Sequence, residues 1–89
     1  VSERHVGVYA ISVAADRLSM QVQNLRVYER HGLVSPARTA GGTRLYSEAD
    51  LERLARVRDL LAEGLNLAGI VKVMLLEDEL RRVRSGWRG

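Results

Sequence analysis

The sequence contains no cysteine. Disulfides, thiolate metal sites and a cysteine nucleophile are therefore absent, and a reducing, cytoplasmic setting is expected. Long apolar runs are missing too. The longest strictly apolar stretch is Val73–Leu76, far short of the ~20 residues that cross a bilayer. No membrane partner or signal-type segment is expected. Lysine occurs once, at Lys72, so 13 of the 14 basic residues are arginine. Phosphate-loop chemistry is also absent, because the glycine pair in "AGGTR" has neither the lysine nor the following Ser/Thr that such a loop needs. His5 and His31 have no carboxylate or nucleophile at motif spacing. The acids Glu77, Asp78 and Glu79 read as a solvated helix face. The expectation is a protein that is not an enzyme, with no cofactor and no metal.

The 89 residues suit one small domain. The sequence begins at Val1, as expected of a processed start or of a cut fragment. Charge is unevenly spread. Residues 17–46 carry five arginines against the single acid Glu29, whereas residues 47–80 hold eight acids against four bases. Residues 81–89 are basic again. Arginine's planar fork suits phosphate and guanine, although an arginine-rich surface can also be no more than solvated. Position along the chain has to decide.

Residues 1–8 read as a flexible N-terminal arm. Ser12 can cap a first short helix through Val13, Ala14, Ala15 and Leu18. "LSMQ" breaks it, with Ser19 as a cap for the second helix. Val22, Leu25 and Tyr28 then recur at helical spacing, and Gly32 ends that helix at C′. Two short helices joined by a tight turn predict a helix-turn-helix. Pro36 excludes helix in the next stretch. Residues 37–39 and 43–46 read as strands joined at Ala40-Gly41-Gly42, where glycines supply positive φ for a hairpin.

Ser47, with Asp50 three residues on, predicts a capping box. Leu51, Leu54, Val57 and Leu61 form the buried stripe of the third helix, and Gly64 ends it. Asn66 caps a further helix with Ile70, Val71, Met74 and Leu75 inward. Val73, Leu76, Leu80, Val83 and Trp87 step by 3, 4, 3 and 4, either a seam for a partner helix or a face folded onto its own core. A break near Leu76–Asp78 is compatible with this pattern but not signalled. The expected fold is mostly α with a small β-hairpin wing: a winged helix-turn-helix followed by two further helices. Its divisions are residues 1–8, 9–76 and 77–89, the last a short helix with the dimer seam and a frayed tail.

In a helix-turn-helix the second helix enters the major groove with its N-terminal residues at base edges. Gln21, Gln23, Asn24 and Arg26 occupy that place, and amides and guanidinium are the groups that grip adenine and guanine. A glycine-tipped hairpin after such a helix is a wing. Arg38 and Arg44 flank its tip and can lie along phosphates. Thr39 can bond a phosphate or pair across the strands. Tyr28 and Tyr46 can offer hydroxyls to phosphates or serve as core.

These residues carry a resemblance. "NLRVYERHGLVSPARTAGGTRLYSEADLERL", Asn24 to Leu54, resembles the MerR-family signature, roughly "TLRYYERxGLLxPxRTxxGYRxYxxxDLxRL". "YAISVAADRLSM" is similar to the family's opening, and "EGLNLAGIVKVMLL" to its fourth helix. "SVAA", "SPARTAGG" and "GLNLAGI" look most like the heat-shock repressor (HspR-like) subgroup. Asn24 stands where the family has threonine, Val27 where it has the first of two tyrosines, and Ser19 where glycine is common in the turn.

The resemblance implies a regulator that binds double-stranded DNA as a dimer on inverted repeats, through a C-terminal helix. Activating members untwist a promoter spacer for RNA polymerase. The heat-shock subgroup represses chaperone operons, in a stress response linked to a DnaK-type chaperone. The contacts it implies are Gln21, Gln23, Asn24, Arg26, Tyr28, Arg38, Arg44 and Tyr46, with Arg30 nearer the edge. The family's metal sensors use cysteines, and its multidrug sensors use a further domain. Two rival readings are a protein-interaction module for a chaperone or polymerase subunit, and an excisionase-type architectural protein that bends DNA.

Overall fold

A computed structural model describes residues 3–86. A 3-10 turn, Glu3–His5, precedes helices α1 (Ile11–Leu18) and α2 (Val22–Arg30). A hairpin of β1 (Ala37–Arg38) and β2 (Arg44–Leu45) comes next, then helices α3 (Glu48–Ala62) and α4 (Leu67–Gly86). The strands are antiparallel, with Ala37 opposite Leu45 and Arg38 opposite Arg44. The expected winged helix-turn-helix is the fold observed.

The α1–α2 turn is made by Ser19, whose left-handed backbone (φ 55, ψ 43) stops α1. A side chain strains that conformation and glycine does not, which accounts for the glycine common at this place in the family. Ser19 therefore ends α1 and does not cap α2. Gln21 is the N-cap of α2, with no side-chain cap bond. Ser12 does not cap α1 either, since Ala10 holds that position. At the other end of α2, His31 is the C-cap and Gly32 takes φ 76.

Residues 6–9 lie along the hairpin. Val8 N and Tyr9 N donate to the Tyr46 carbonyl at 3.0 and 2.9 Å, and Tyr46 N donates to the Tyr9 carbonyl at 2.7 Å. The approach is close: a Cβ on Gly7 would lie 2.7 Å from the Leu45 carbonyl oxygen. Arg4 meets Glu52 of α3 through Nη1 and Nη2.

The capping box is present. Asp50 N donates to Ser47 Oγ at 3.0 Å, and Ser47 N donates to Asp50 Oδ2 at 2.9 Å. Ser47 is thus buried with its polar atoms satisfied. The α3 stripe runs Leu51, Leu54, Val57 and Leu60, while the expected Leu61 is exposed. A 3.6-residue period allows either a 3 or a 4 step here, and packing selects the 3. Asn66 Oδ1 accepts from Gly69 N at 2.8 Å and caps α4.

The single core joins Ala14, Ala15 and Leu18 of α1 to Leu25 and Tyr28 of α2, and to the α3 stripe with Ile70 and Met74 of α4. Val71 is half-buried, but Leu75, expected inward, is 63% exposed. Beyond Met74 no described residue of α4 is buried. The helix runs unbroken past Leu76–Asp78, so residues 77–86 continue it. Leu76, Leu80 and Val83 are exposed at 69, 50 and 58%. They do not fold back onto the core. Trp87 lies outside the described residues.

Two ion pairs fix α4 on α3. Arg53 grips both Asp78 oxygens at 2.8 and 3.1 Å, and Arg56 meets Glu77 at 2.6 Å. Arg53 Nε also donates to the Leu33 carbonyl at 2.6 Å, where the chain leaves α2 for the wing. Hydrogen bonds from these arginines outweigh burial and hold Glu77 and Asp78 below the usual carboxylate range.

Candidate nucleic-acid interface

Helix α2 has two faces because its apolar residues recur every three. Leu25 and Tyr28 are buried, and Val22 and Val27 pack partly against the core. Gln21, Gln23, Asn24, Arg26 and Arg30 are exposed. Gln23, Arg26 and Arg30, spaced by 3 and 4, share one side of the helix. Neither the Arg26 nor the Arg30 side chain makes a hydrogen bond or ion pair among the described residues. Their guanidinium groups are free to engage an anion or a base edge. Gln21, at the N-cap, adds an amide beside the helix's positive end.

The wing stands next to this face and is built differently. Thr39 N donates to the Thr43 carbonyl at 2.9 Å, and Gly42 N to the Thr39 carbonyl at 2.9 Å. Gly42 has φ 86 and so needs to be glycine, whereas Gly41 has no positive φ. Only one of the expected pair therefore supplies the left-handed backbone. Thr39 Oγ1 accepts from Thr43 N at 3.1 Å, which commits one lone pair of the hydroxyl to the tip.

Arg38 and Arg44 both turn toward α2 and share one carboxylate. Arg38 Nη2 donates to Glu29 Oε2 at 2.9 Å, and Arg44 Nε donates to Glu29 Oε1 at 2.5 Å. Arg38 Nη1 also reaches the Gly42 carbonyl at 3.1 Å. Burial pushes the Glu29 carboxyl up, but the hydrogen bonds from Arg44 and Arg38 win and hold it below its ordinary value. Sequence reasoning did not single out Glu29. The signal available was its standing as the only acid among five arginines in residues 17–46.

The two tyrosines belong to the core. Tyr28 is 6% exposed and Tyr46 is fully buried. Burial raises both phenols above their ordinary value, so both stay protonated. The Tyr46 hydroxyl is buried and has no hydrogen-bond partner among the described residues. As placed, it offers no donor to a phosphate. Val27 likewise fills space where the family has a tyrosine.

A further basic residue was not foreseen. Arg17, at the end of α1, lies 4.9 Å from the centroid of the Tyr9 ring and 3.5 Å from Glu48. Tyr9 OH donates to the same Glu48 carboxylate at 3.3 Å. This trio fastens α1 to the start of α3, with half of the Arg17 side chain left exposed.

Known proteins share this fold. Residues 9–77 match the family described as MerR HTH family regulatory protein. The chain is 40% identical over 75 residues to the HTH-type transcriptional regulator GlnR of Bacillus anthracis, covering 84% of this chain and 58% of that one. It is 48% identical over 79 residues to a Streptomyces coelicolor protein carrying the heat-shock name HspR, covering 88% and 52%. The chain thus spans about half the length of these curated relatives. Among solved structures, the transcription regulator PbrR691 of Ralstonia metallidurans CH34, in complex with lead(II), superposes with a TM-score of 0.74. It shares 34% identity, over 81% of this chain and 57% of that one. HiNmlR, a MerR-family regulator bound to promoter DNA, shares the fold with a TM-score of 0.68 at 22% identity, over 86% and 70%. The chain therefore belongs to the MerR HTH family of regulatory proteins, a family of DNA-binding transcription regulators and not of enzymes.

Proposed function

We propose that this chain is the DNA-reading part of a transcriptional repressor that binds an inverted-repeat operator as a homodimer in the cytoplasm. One observation carries the reading. Arg26 and Arg30 stand exposed and unpaired beside Gln23 on one side of α2, while the remaining arginines of residues 17–46 are held by carboxylates. Helix α2 would lie in the major groove, with Gln21, Gln23, Asn24 and Arg26 at base edges. Arg30 would meet phosphate, and the wing with Thr39 would lie along the backbone. Similarity to the HspR-named protein supports repression in a stress response, with a DnaK-type chaperone as a further partner.

The dimer would form through the exposed apolar residues of α4, Leu76, Leu80 and Val83. The same stripe supports a second reading, a docking face for a chaperone or polymerase subunit. The experiment is a titration of the chain against genomic fragments, including the one upstream of its own gene, at two salt concentrations. Tight, salt-sensitive binding to one fragment is expected. On that fragment Arg26→Ala should cost about 1–3 kcal/mol and relax preference at one base position. Unchanged affinity in Arg26→Ala would refute the placement of α2.

A further inference from the structure

The arginines near the wing fall into two classes. Arg26 and Arg30 are unpaired among the described residues. Arg38 and Arg44 are bound to one carboxylate, each taking a different oxygen. Glu29 lies in the last turn of α2, Arg38 in β1 and Arg44 in β2. One side chain thus spans the reading helix and both strands of the wing. The Glu29 side chain is 20% exposed and that of Arg44 is 26% exposed. Partial shelter makes this charge-assisted pair stronger than a solvated one.

Non-specific attraction to DNA is set by the number of phosphates that free cations can neutralise. A carboxylate already seated on two guanidinium groups competes with every phosphate for them. It also ties the hairpin to α2, and no other side-chain hydrogen bond joins the two among the described residues. We infer that Glu29 is a specificity-determining positioning residue: it ties the wing to α2 and withholds Arg38 and Arg44 from indiscriminate phosphate contact. This inference rests on the DNA-reading function proposed above.

The test is Glu29→Gln, an isosteric change that removes the charge. Its melting temperature is measured first, beside Glu29→Asp, whose shorter arm cannot span both arginines. The probe is sheared mixed-sequence genomic DNA, titrated over a range of salt. Relative to the parent chain, Glu29→Gln should bind this DNA more tightly. Its plot of log affinity against log salt should steepen by about one to two. Glu29→Asp should move the same way by less, and it serves if Glu29→Gln does not fold.

The same substitution is then made in an Arg38→Gln, Arg44→Gln chain. There the slope change should vanish, because no arginine is left to release. A mere gain of net charge would persist in that background. An unchanged slope in the single variant, or an equal change in both backgrounds, overturns the inference while leaving DNA reading intact. A parent chain that binds no DNA at low salt takes down both.

Discussion

Tyr46 is the residue on which core and contact readings part most sharply. Its ring is fully buried, and its hydroxyl has no hydrogen-bond partner among the described residues. Around it are the charges of Glu29, Arg44, Asp50 and Arg26, yet none closes a bond with it. An unpaired buried hydroxyl costs about 1–3 kcal/mol by mutational measures. Removing it with Tyr46→Phe keeps the ring, the backbone bonds to Tyr9 and nearly all of the packing. The oxygen's own dispersion contacts are lost, which offsets a few tenths of a kcal/mol. The expected result is a gain of about 1–2 kcal/mol.

For a domain of this size, 1 kcal/mol moves the melting midpoint by roughly 4–8 °C. Thermal and urea unfolding of Tyr46→Phe should therefore show a clear rise in midpoint with an unchanged urea m-value. Affinity for the operator fragment should not change, because the hydroxyl does not reach the surface. A fall in stability would mean that the hydroxyl is satisfied in the folded protein. A fall in affinity of about tenfold, with the fold intact, would mean that it turns out to bond a phosphate. The first result refutes the unpaired hydroxyl, and the second refutes the core assignment.

Two other expectations concern charge and the outer half of α4. Glu29, Glu77 and Asp78 have carboxyls below their ordinary values in the folded chain. The stability they contribute is therefore complete above the unfolded values of about 4 and is lost as pH falls through the lower folded values. Melting measured from neutral pH downward should be flat until about pH 5 and then decline, less steeply in a Glu77→Gln, Asp78→Asn chain. An equal decline in that chain would exclude these pairs. Replacing Leu76 and Leu80 by lysine should leave the melting temperature of dilute protein unchanged, because both side chains are half exposed or more. Sedimentation should show self-association weakened, and unaltered association would place the dimer contact elsewhere.

The features legible in the sequence were those that short spacing encodes. Ser47 and Asp50 lie three apart, and their reciprocal bonds close within a single turn. Asn66 and Gly64 mark the α3–α4 junction by the same local logic. The split of α2 into a buried and an exposed face comes from Leu25 and Tyr28, so the exposure of Gln21, Gln23, Asn24 and Arg26 was legible. Ser19 was legible as a break but not as to which helix it serves. The answer depends on a backbone angle that serine seldom adopts.

Contacts closed by tertiary packing were not legible. Glu29 meets Arg44 across 15 residues, and Arg53 meets Asp78 across 25. Nothing in the spacing of either pair selects the partner. The period of α4 placed Leu75 inward because an amphipathic pattern has no way to signal where the neighbouring helix stops. The most consequential gap is at the wing. Two arginines beside a glycine tip suggest two cations waiting for phosphate, but the fold gives them a shared carboxylate first. On the DNA-reading function proposed above, a phosphate would have to compete with Glu29 for Arg38 and Arg44, whereas the Arg26 and Arg30 side chains have no such partner among the described residues.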